Sequence, residues 1–294
     1  MDGRAGLVFC MLRVAHEIHI TAKLEEAKAA ANESIKPLGR LPKIAVCCIT
    51  YGRPFLVSTV VGCFARQAYP SDLCEMVILD DGKQLRPGAY QFGGREVRVY
   101  HSERFATLGG KRNAARKLVS SDVDAVTFWD DDDVYLPWAL EAMADRLQHV
   151  GIALMSWTHW QEKNGKIHLI RKVMHAGGAF LTETFDAIGG YPLKSRGEDM
   201  ALLKHWVSKG GHGHFPPERN TMDNYHPYTI IRRFLPETYH ATHKSFDYDA
   251  LVVEPHGNID IYEAPLPPDV EAYCYELAKT NCIGRKPKPD SSRT

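Results

Sequence analysis

The chain has 294 residues, with 36 basic and 36 acidic side chains for a formal net charge of zero, and is 44% hydrophobic against 24% charged. That is the composition of an ordinary globular protein long enough to bury a substantial core. A neutral balance speaks against a dedicated nucleic-acid binder, which carries a basic excess, while leaving a local patch open.

Residues 1–40 read as an amphipathic helical extension, rich in Ala, Glu and Lys between Thr21 and Glu33. The apolar run Ala5–Leu12 is short and is followed by Arg13, His16 and Glu17, so it does not read as a transmembrane segment. No small-residue cleavage signature follows it, which argues against a signal peptide. The cysteines (Cys10, Cys47, Cys48, Cys63, Cys74, Cys274 and Cys282) form no C-x-x-C pair, and several sit in apolar runs. Free cysteine there behaves as a small hydrophobe, and a reduced, cytoplasmic setting is the expectation.

From residue 41 the pattern changes. Ile44–Ile49 is a continuous apolar run, as in a strand covered on both faces. Thr50-Tyr51-Gly52-Arg53 makes a turn, and Pro54 suits the first position of a helix to about Gln67. Met76–Leu79 is a second apolar strand ending in Asp80-Asp81-Gly82, and Val97–Tyr100 a third. Gly109-Gly110 opens a helix to about Val119; Ala125–Trp129 is a fourth strand ending in four aspartates; a helix follows from about Pro137 to His149. Strands alternating with helices predict an α/β fold with a mostly parallel central sheet flanked by helices.

The second half is more mixed. Gly151–Trp157 reads as a strand, and Asn164-Gly165 as a hairpin turn between His159–Lys163 and Lys166–Val173. A helix spans about Glu198–Ser208; from Gly210 the chain reads as loop-rich and aromatic, and the last dozen or so residues as disordered. The expected division is 1–40 extension, 41–250 main domain and 251–294 C-terminal extension.

Asp130-Asp131-Asp132-Asp133 is the strongest chemical signal. In open parallel sheets ligands bind beyond the carboxyl ends of the strands, where these acids lie. Two carboxylates about 6 Å apart at an effective dielectric of about 20 repel by roughly 3 kcal/mol. A divalent cation offsets that repulsion, and all-oxygen ligands favour magnesium or manganese. Helix capping accounts for one or two of the acids but not for all of them. Asp80-Asp81-Gly82 is by itself a turn, and becomes a ligand contact when paired with the second acidic cluster on the same sheet edge. Gly109-Gly110-Lys111-Arg112-Asn113 starts a helix whose backbone N–H groups and two cations could hold a phosphate or a base edge; a solvated helix start is the equal alternative. Ser195 and Glu198 form the spacing of a capping box; Asp199, not needed for that cap, is placed to accept a proton, although helix capping is by itself the favoured reading of this helix start.

In this order, over about residues 43–240, these segments resemble family 2 glycosyltransferases of the GT-A (nucleotide-diphospho-sugar transferase) fold. Val46–Pro54 is similar to the opening strand and loop, Ile78–Gly82 to the strand whose first aspartate contacts the donor base, and Lys111-Arg112-Asn113 to an Ala-Arg-Asn helix start. Phe128–Asp133 resembles the DxD segment, Gly177–Phe180 and Gly189–Tyr191 the stretch before the acceptor loop, and Glu198-Asp199 the pair whose aspartate is the catalytic base. The resemblance implies donor contacts from Thr50, Tyr51, Arg53, Asp80, Lys111, Arg112, Asp130 and Asp131. It implies a manganese or magnesium ion on Asp132, and Asp199 with Glu198 at the catalytic position. Arg233–His240 resembles an Arg-His-Gly-x-Asn-Thr-Trp-His pattern in which Phe234 replaces the first histidine, so His240 and His226 are the candidates for a third ligand.

The implied reaction is inverting transfer from a nucleotide-sugar, by default a UDP-sugar, to a hydroxyl of a glycan, lipid-linked saccharide, protein or small molecule, with a nucleic-acid acceptor left open. The lack of a Q-x-x-R-W motif argues against a processive polysaccharide synthase. Two alternatives remain: a sugar-nucleotide nucleotidyltransferase, to whose glycine-rich first loop Thr50–Arg53 is a poor match, and a non-catalytic sugar-binding module.

Overall fold

The computed structural model describes residues 38–161, 167–208, 229–232 and 260–262. The expected N-terminal helix, the Asn164-Gly165 turn, the C-terminal tail, His226 and His240 lie outside the described residues.

The first half runs β1 (Ile44–Thr50), α1 (Pro54–Ala65), β2 (Cys74–Asp80), β3 (Gly88–Phe92), β4 (Arg95–His101), α2 (Leu108–Arg116), β5 (Ala125–Asp130), β6 (Val134–Tyr135) and α3 (Ala139–Leu147). There follow β7 (Ile152–Gln161), β8 (Ile167–Leu181), α4 (Thr182–Ile188), α5 (Glu198–Ser208), β9 (Thr229–Arg232) and β10 (Asp260–Tyr262). All the strands join one sheet of order β3-β4-β2-β1-β5-β8-β7-β9-β6, with β10 against β8. Strands β4, β2, β1 and β5 are mutually parallel, while β3 and β8 add to this core antiparallel.

Every residue of β1 and of β2 is buried, because the sheet is covered on both faces. Alternate side chains serve opposite layers. Ile44, Val46 and Cys48 pack with Val57, Val60, Val61 and Phe64 of α1 and with Leu140, Met143 and Leu147 of α3. Ala45, Cys47 and Ile49 pack on the other side with Ala115 of α2, Phe185 and Ile188 of α4, and Leu202, Leu203 and Trp206 of α5. Cys47, Cys48, Cys63 and Cys74 are buried free thiols, and burial pushes the Cys47 thiol up to about 12. They act as core hydrophobes.

Three departures from the sequence reading have local causes. β8 runs to Leu181, beyond the hairpin arm expected to end near Val173, because its C-terminal part also pairs with β5 through Thr127↔Ala179 and Val126↔Phe180. The short α4 was not foreseen; Gly189 ends it in the left-handed region at φ 90°. β9 lies within the segment read as loop, where it adds in parallel to β7 and antiparallel to β6. No helix among the described residues is long and apolar enough to cross a membrane.

Candidate active site

The parallel core ends its strands together: Thr50 is in register with Asp80, Asp80 with His101, and Ile49 with Asp130. The loops that follow these strands therefore converge on one edge, the crevice where open α/β sheets bind ligands.

The four-aspartate run is a turn, and the turn sorts its acids. Asp133 N–H donates to Asp130 O at 3.4 Å, which folds the chain back on itself. Carboxylate oxygens of Asp130, Asp132 and Asp133 then lie within 4.8 Å of one another. Asp131 is turned inward, fully buried, accepting from Thr50 Oγ1 at 2.6 Å and from Arg53 Nη2 at 2.5 Å. Burial pushes its carboxyl up to about 7 against the pull of Arg53, with Asp132 adding to the rise. The turn rests on an aromatic stack, Trp129 on Tyr135, with ring centroids 4.0 Å apart and planes 3° from parallel. Tyr135 Oη accepts the Asp130 N–H at 2.9 Å, so the stack also fixes the first acid.

Arg53, at the N-cap of α1, bridges the two orientations by donating to Asp132 at 3.1 Å as well as to Asp131. Thr50, expected at the donor, is buried and spends its hydroxyl on Asp131 and its carbonyl on Lys111. Thr50 and Asp131 are thus bonded to each other behind the acidic turn.

Asp80 organises the turn that follows β2. Its Oδ1 accepts the Gly82 N–H at 2.9 Å and its Oδ2 those of Gln84 and Leu85 at 2.6 and 2.7 Å. With the residue 1% exposed, most of the carboxylate's acceptor capacity is used in holding its own turn.

The helix start at Gly109-Gly110 is closed to an anion. Gly109 N–H donates to Lys194 O at 2.9 Å, Gly110 N–H to Thr107 Oγ1 at 3.1 Å, and Lys111 N–H to Thr107 O at 3.1 Å. Thr107 is thus the N-cap. Gly109 is required because a Cβ there would sit 2.0 Å from Pro192 O. The two cations face the strand ends instead. Lys111 Nζ bonds Asp81 Oδ1 at 2.5 Å and Thr50 O at 2.6 Å, and burial pulls its ammonium below its ordinary value. Arg104, from the loop after β4, donates to both oxygens of Asp81 at 3.2 and 3.3 Å.

Arg112 joins the halves of the site. It donates to Asp130 Oδ1 at 2.9 Å, and its Nε lies 3.6 Å from Glu198 Oε1. Both side chains are buried, and burial raises the Glu198 carboxyl although Arg112 opposes it. The expected capping box does not form: α5 begins at Glu198, Ala201 N–H bonds Gly197 O, and Ser195 is exposed outside the helix. Gly197, at φ 63°, makes the turn into α5. Asp199 is half-buried at the helix start, with its Oδ1 accepting from Met200 N–H at 2.7 Å.

The sequence thus located the acidic edge but did not single out Asp133, whose role depends on the return of the turn. It also passed over Arg104, which belongs to no motif. Of the proposed metal ligands, Asp132 is joined by Asp130 and Asp133. The three carboxylates fit a hard cation: the donors are oxygens, and two of the three groups are almost fully buried, so their charge requires compensation. Around the crevice Asp80, Asp81, Asp130–Asp133 and Glu198 outnumber Arg53, Arg104, Lys111 and Arg112, which leaves a negative excess.

The sequence profile of glycosyl transferase family 2 matches residues 45–236. No curated protein sequence matches the chain. Among solved structures it is similar to TarS 1-349 of S. aureus, at 17% identity and TM-score 0.45 over 65% of this chain and 60% of that one. The same protein in complex with UDP-GlcNAc gives 17% and 0.46 over 66% and 60%. A mannosyltransferase from Pyrobaculum calidifontis, PcManGT in complex with GDP-Man and Mn2+, gives 15% and 0.46 over 90% and 80%. The match thus spans less than two thirds of TarS 1-349. With the profile covering well over half of the sequence and the acidic edge built on a parallel α/β core, the chain belongs to glycosyl transferase family 2 and has its GT-A architecture.

Proposed function

We propose that the protein transfers a sugar from a nucleotide-diphosphate donor, a UDP-sugar by default, to an acceptor hydroxyl with inversion, using Asp199 as the base. The observation that supports this reading is the Asp130–Arg112–Glu198 bridge, which ties the acidic turn to the start of α5, the helix start that carries Asp199.

Asp130, Asp132 and Asp133 would hold a magnesium or manganese ion, with His226 and His240 as further candidates. Bound there, the ion supplies positive charge against the leaving diphosphate. Asp199 accepts the proton of the acceptor hydroxyl, whose oxygen forms the new bond to the anomeric carbon. The bond from that carbon to the diphosphate oxygen breaks on the opposite face, and its electron pair leaves with the nucleotide. Glu198 is not the base in this reading: it is committed to Arg112, which it holds against Asp130. Arg53 steadies Asp132 from below. Asp81 and Lys111 close the floor of the donor side, with Tyr51 exposed at its rim.

The test is a thermal-stability screen of UDP- and GDP-sugars with and without manganese, because a ligand that binds only the folded state raises its stability. The reading expects at least one nucleotide-sugar to stabilise the protein more with the metal than without. A panel in which no nucleotide-sugar stabilises it contradicts the donor assignment.

A further inference from the structure

The limb of the acid turn that carries Asp133 has little of the sheet to hold it. β6, which follows Asp133 directly, is two residues long and pairs with β9 alone among the described strands. The other limb ends β5, which is paired with β1 as far as Asp130. The returning chain is fixed instead by the C-terminal end of α1. Tyr135 N–H donates to Cys63 Sγ at 3.4 Å, and Ala68 N–H to Pro137 O at 2.7 Å. Gln67, just beyond α1 and 4% exposed, uses both ends of its amide there. Its Nε2 donates to Leu136 O at 2.9 Å and to Cys63 O at 3.1 Å, and its Oε1 accepts the Leu140 N–H at 3.0 Å. Buried backbone groups require such partners, and Gln67 supplies two of them to this segment. On the side of the acids, the Tyr135 hydroxyl reaches back to the Asp130 N–H. The Trp129 indole N–H is buried without an acceptor among the described residues, which lowers stability. An indole at this position is therefore explained by the Tyr135 ring on which it stacks, not by its polar group.

We infer that Gln67 and Tyr135 are positioning residues for the cation: they set where the Asp133 carboxylate stands relative to those of Asp130 and Asp132, and thereby the affinity of the site. This rests on the metal reading proposed above. Both act through the backbone of the turn, Gln67 from the α1 side and Tyr135 from between the two limbs. A cation held by carboxylates from both limbs depends on the spacing of those limbs, and groups that orient metal ligands are worth about 10–100-fold in affinity. Gln67 stands far along the chain from the acids, at the end of a helix that the acidic motif does not include.

Manganese titration of the full chain at fixed UDP, followed by electron paramagnetic resonance, tests this with a matched pair of variants. Tyr135→Phe keeps the ring and its stack on Trp129 and removes only the hydroxyl. Tyr69→Phe is the control: that buried phenol donates to Pro42 O at 2.5 Å, ahead of β1 and so at the opposite edge of the parallel core. Tyr135→Phe should bind manganese about tenfold more weakly, the lower end of the range for groups that orient ligands. The spectrum of its bound manganese should also change, because the ligand spacing has changed. Tyr69→Phe should keep both the affinity and the spectrum of wild type. Gln67→Met, of similar volume, should lose at least as much affinity as Tyr135→Phe; should it not fold, Tyr135→Phe decides alone. Wild-type affinity and spectrum in Tyr135→Phe or in folded Gln67→Met, or an equal loss in Tyr69→Phe, overturns the positioning role and leaves the metal reading standing. Failure of wild type to bind manganese overturns both.

Discussion

The side-chain amide of Asn113 and the backbone of Tyr191 exchange two hydrogen bonds, Nδ2 to Tyr191 O at 2.9 Å and Tyr191 N–H to Oδ1 at 2.8 Å. The pair clamps α2 to the Gly189-Gly190 turn, and Gly190 is needed there because a Cβ would lie 2.6 Å from Asn113 Oδ1 at a φ of 72°. One residue before Asn113, Arg112 is thereby held between Asp130 and Glu198.

Asn113→Ala should therefore cost stability, about 1–3 kcal/mol for each buried group it leaves unpaired. Asn113→Asp should fall between, since a carboxylate accepts the Tyr191 N–H but cannot donate to its carbonyl. Urea unfolding of the two variants measures this, and a wild-type midpoint for Asn113→Ala would remove the clamp from the account.

Asp80→Asn replaces one acceptor oxygen of a turn that uses both. The amide group would meet a backbone N–H, so stability should drop by about 1–3 kcal/mol. If holding the turn is its whole role, UDP affinity of the folded fraction should stay unchanged. A variant with full stability and weakened UDP binding would return Asp80 to the base subsite.

The acid turn makes a prediction that runs against the order of the residues. Asp133→Asn and Asp132→Asn should weaken manganese binding by at least about tenfold, since even outer-shell changes cost about 10–100-fold at metal sites. Asp131→Asn should leave manganese affinity nearly intact, because its carboxylate faces Thr50 and Arg53. Free manganese counted by electron paramagnetic resonance, at fixed UDP, reads all three variants. Equal losses in all three would mean that the turn does not sort its acids.

β1, β2 and β5 were legible because a strand covered on both faces is a continuous apolar run, and an abrupt stop in acids is visible without coordinates. The roles of individual acids were not. Whether Asp131 or Asp133 joins Asp132 depends on one backbone turn and on a Trp129–Tyr135 stack that periodicity does not encode. The capping box at Ser195 failed for a similar reason: a glycine with positive φ, Gly197, precedes α5, which begins at Glu198, two residues later than a Ser195 cap would place it. The pairing of Lys111 with Asp81 and of Arg112 with Asp130 is set by tertiary contacts that the local sequence does not encode. Long-range pairing, as in the parallel addition of β9 to β7, left no local signal.

If Asp199 takes the acceptor proton while Glu198 only holds Arg112, the two acids separate in a single turnover comparison. Nucleoside-diphosphate release from the stabilising nucleotide-sugar, with manganese and at saturating donor, should be measured for wild type, Asp199→Asn and Glu198→Gln. Asp199→Asn should keep donor affinity and lose about 10²–10⁴-fold in turnover, the contribution of a positioned general base. Glu198→Gln should lose far less, because the amide oxygen can still face Arg112. Wild-type turnover in Asp199→Asn, or a larger loss in Glu198→Gln with donor binding intact, would contradict the assignment.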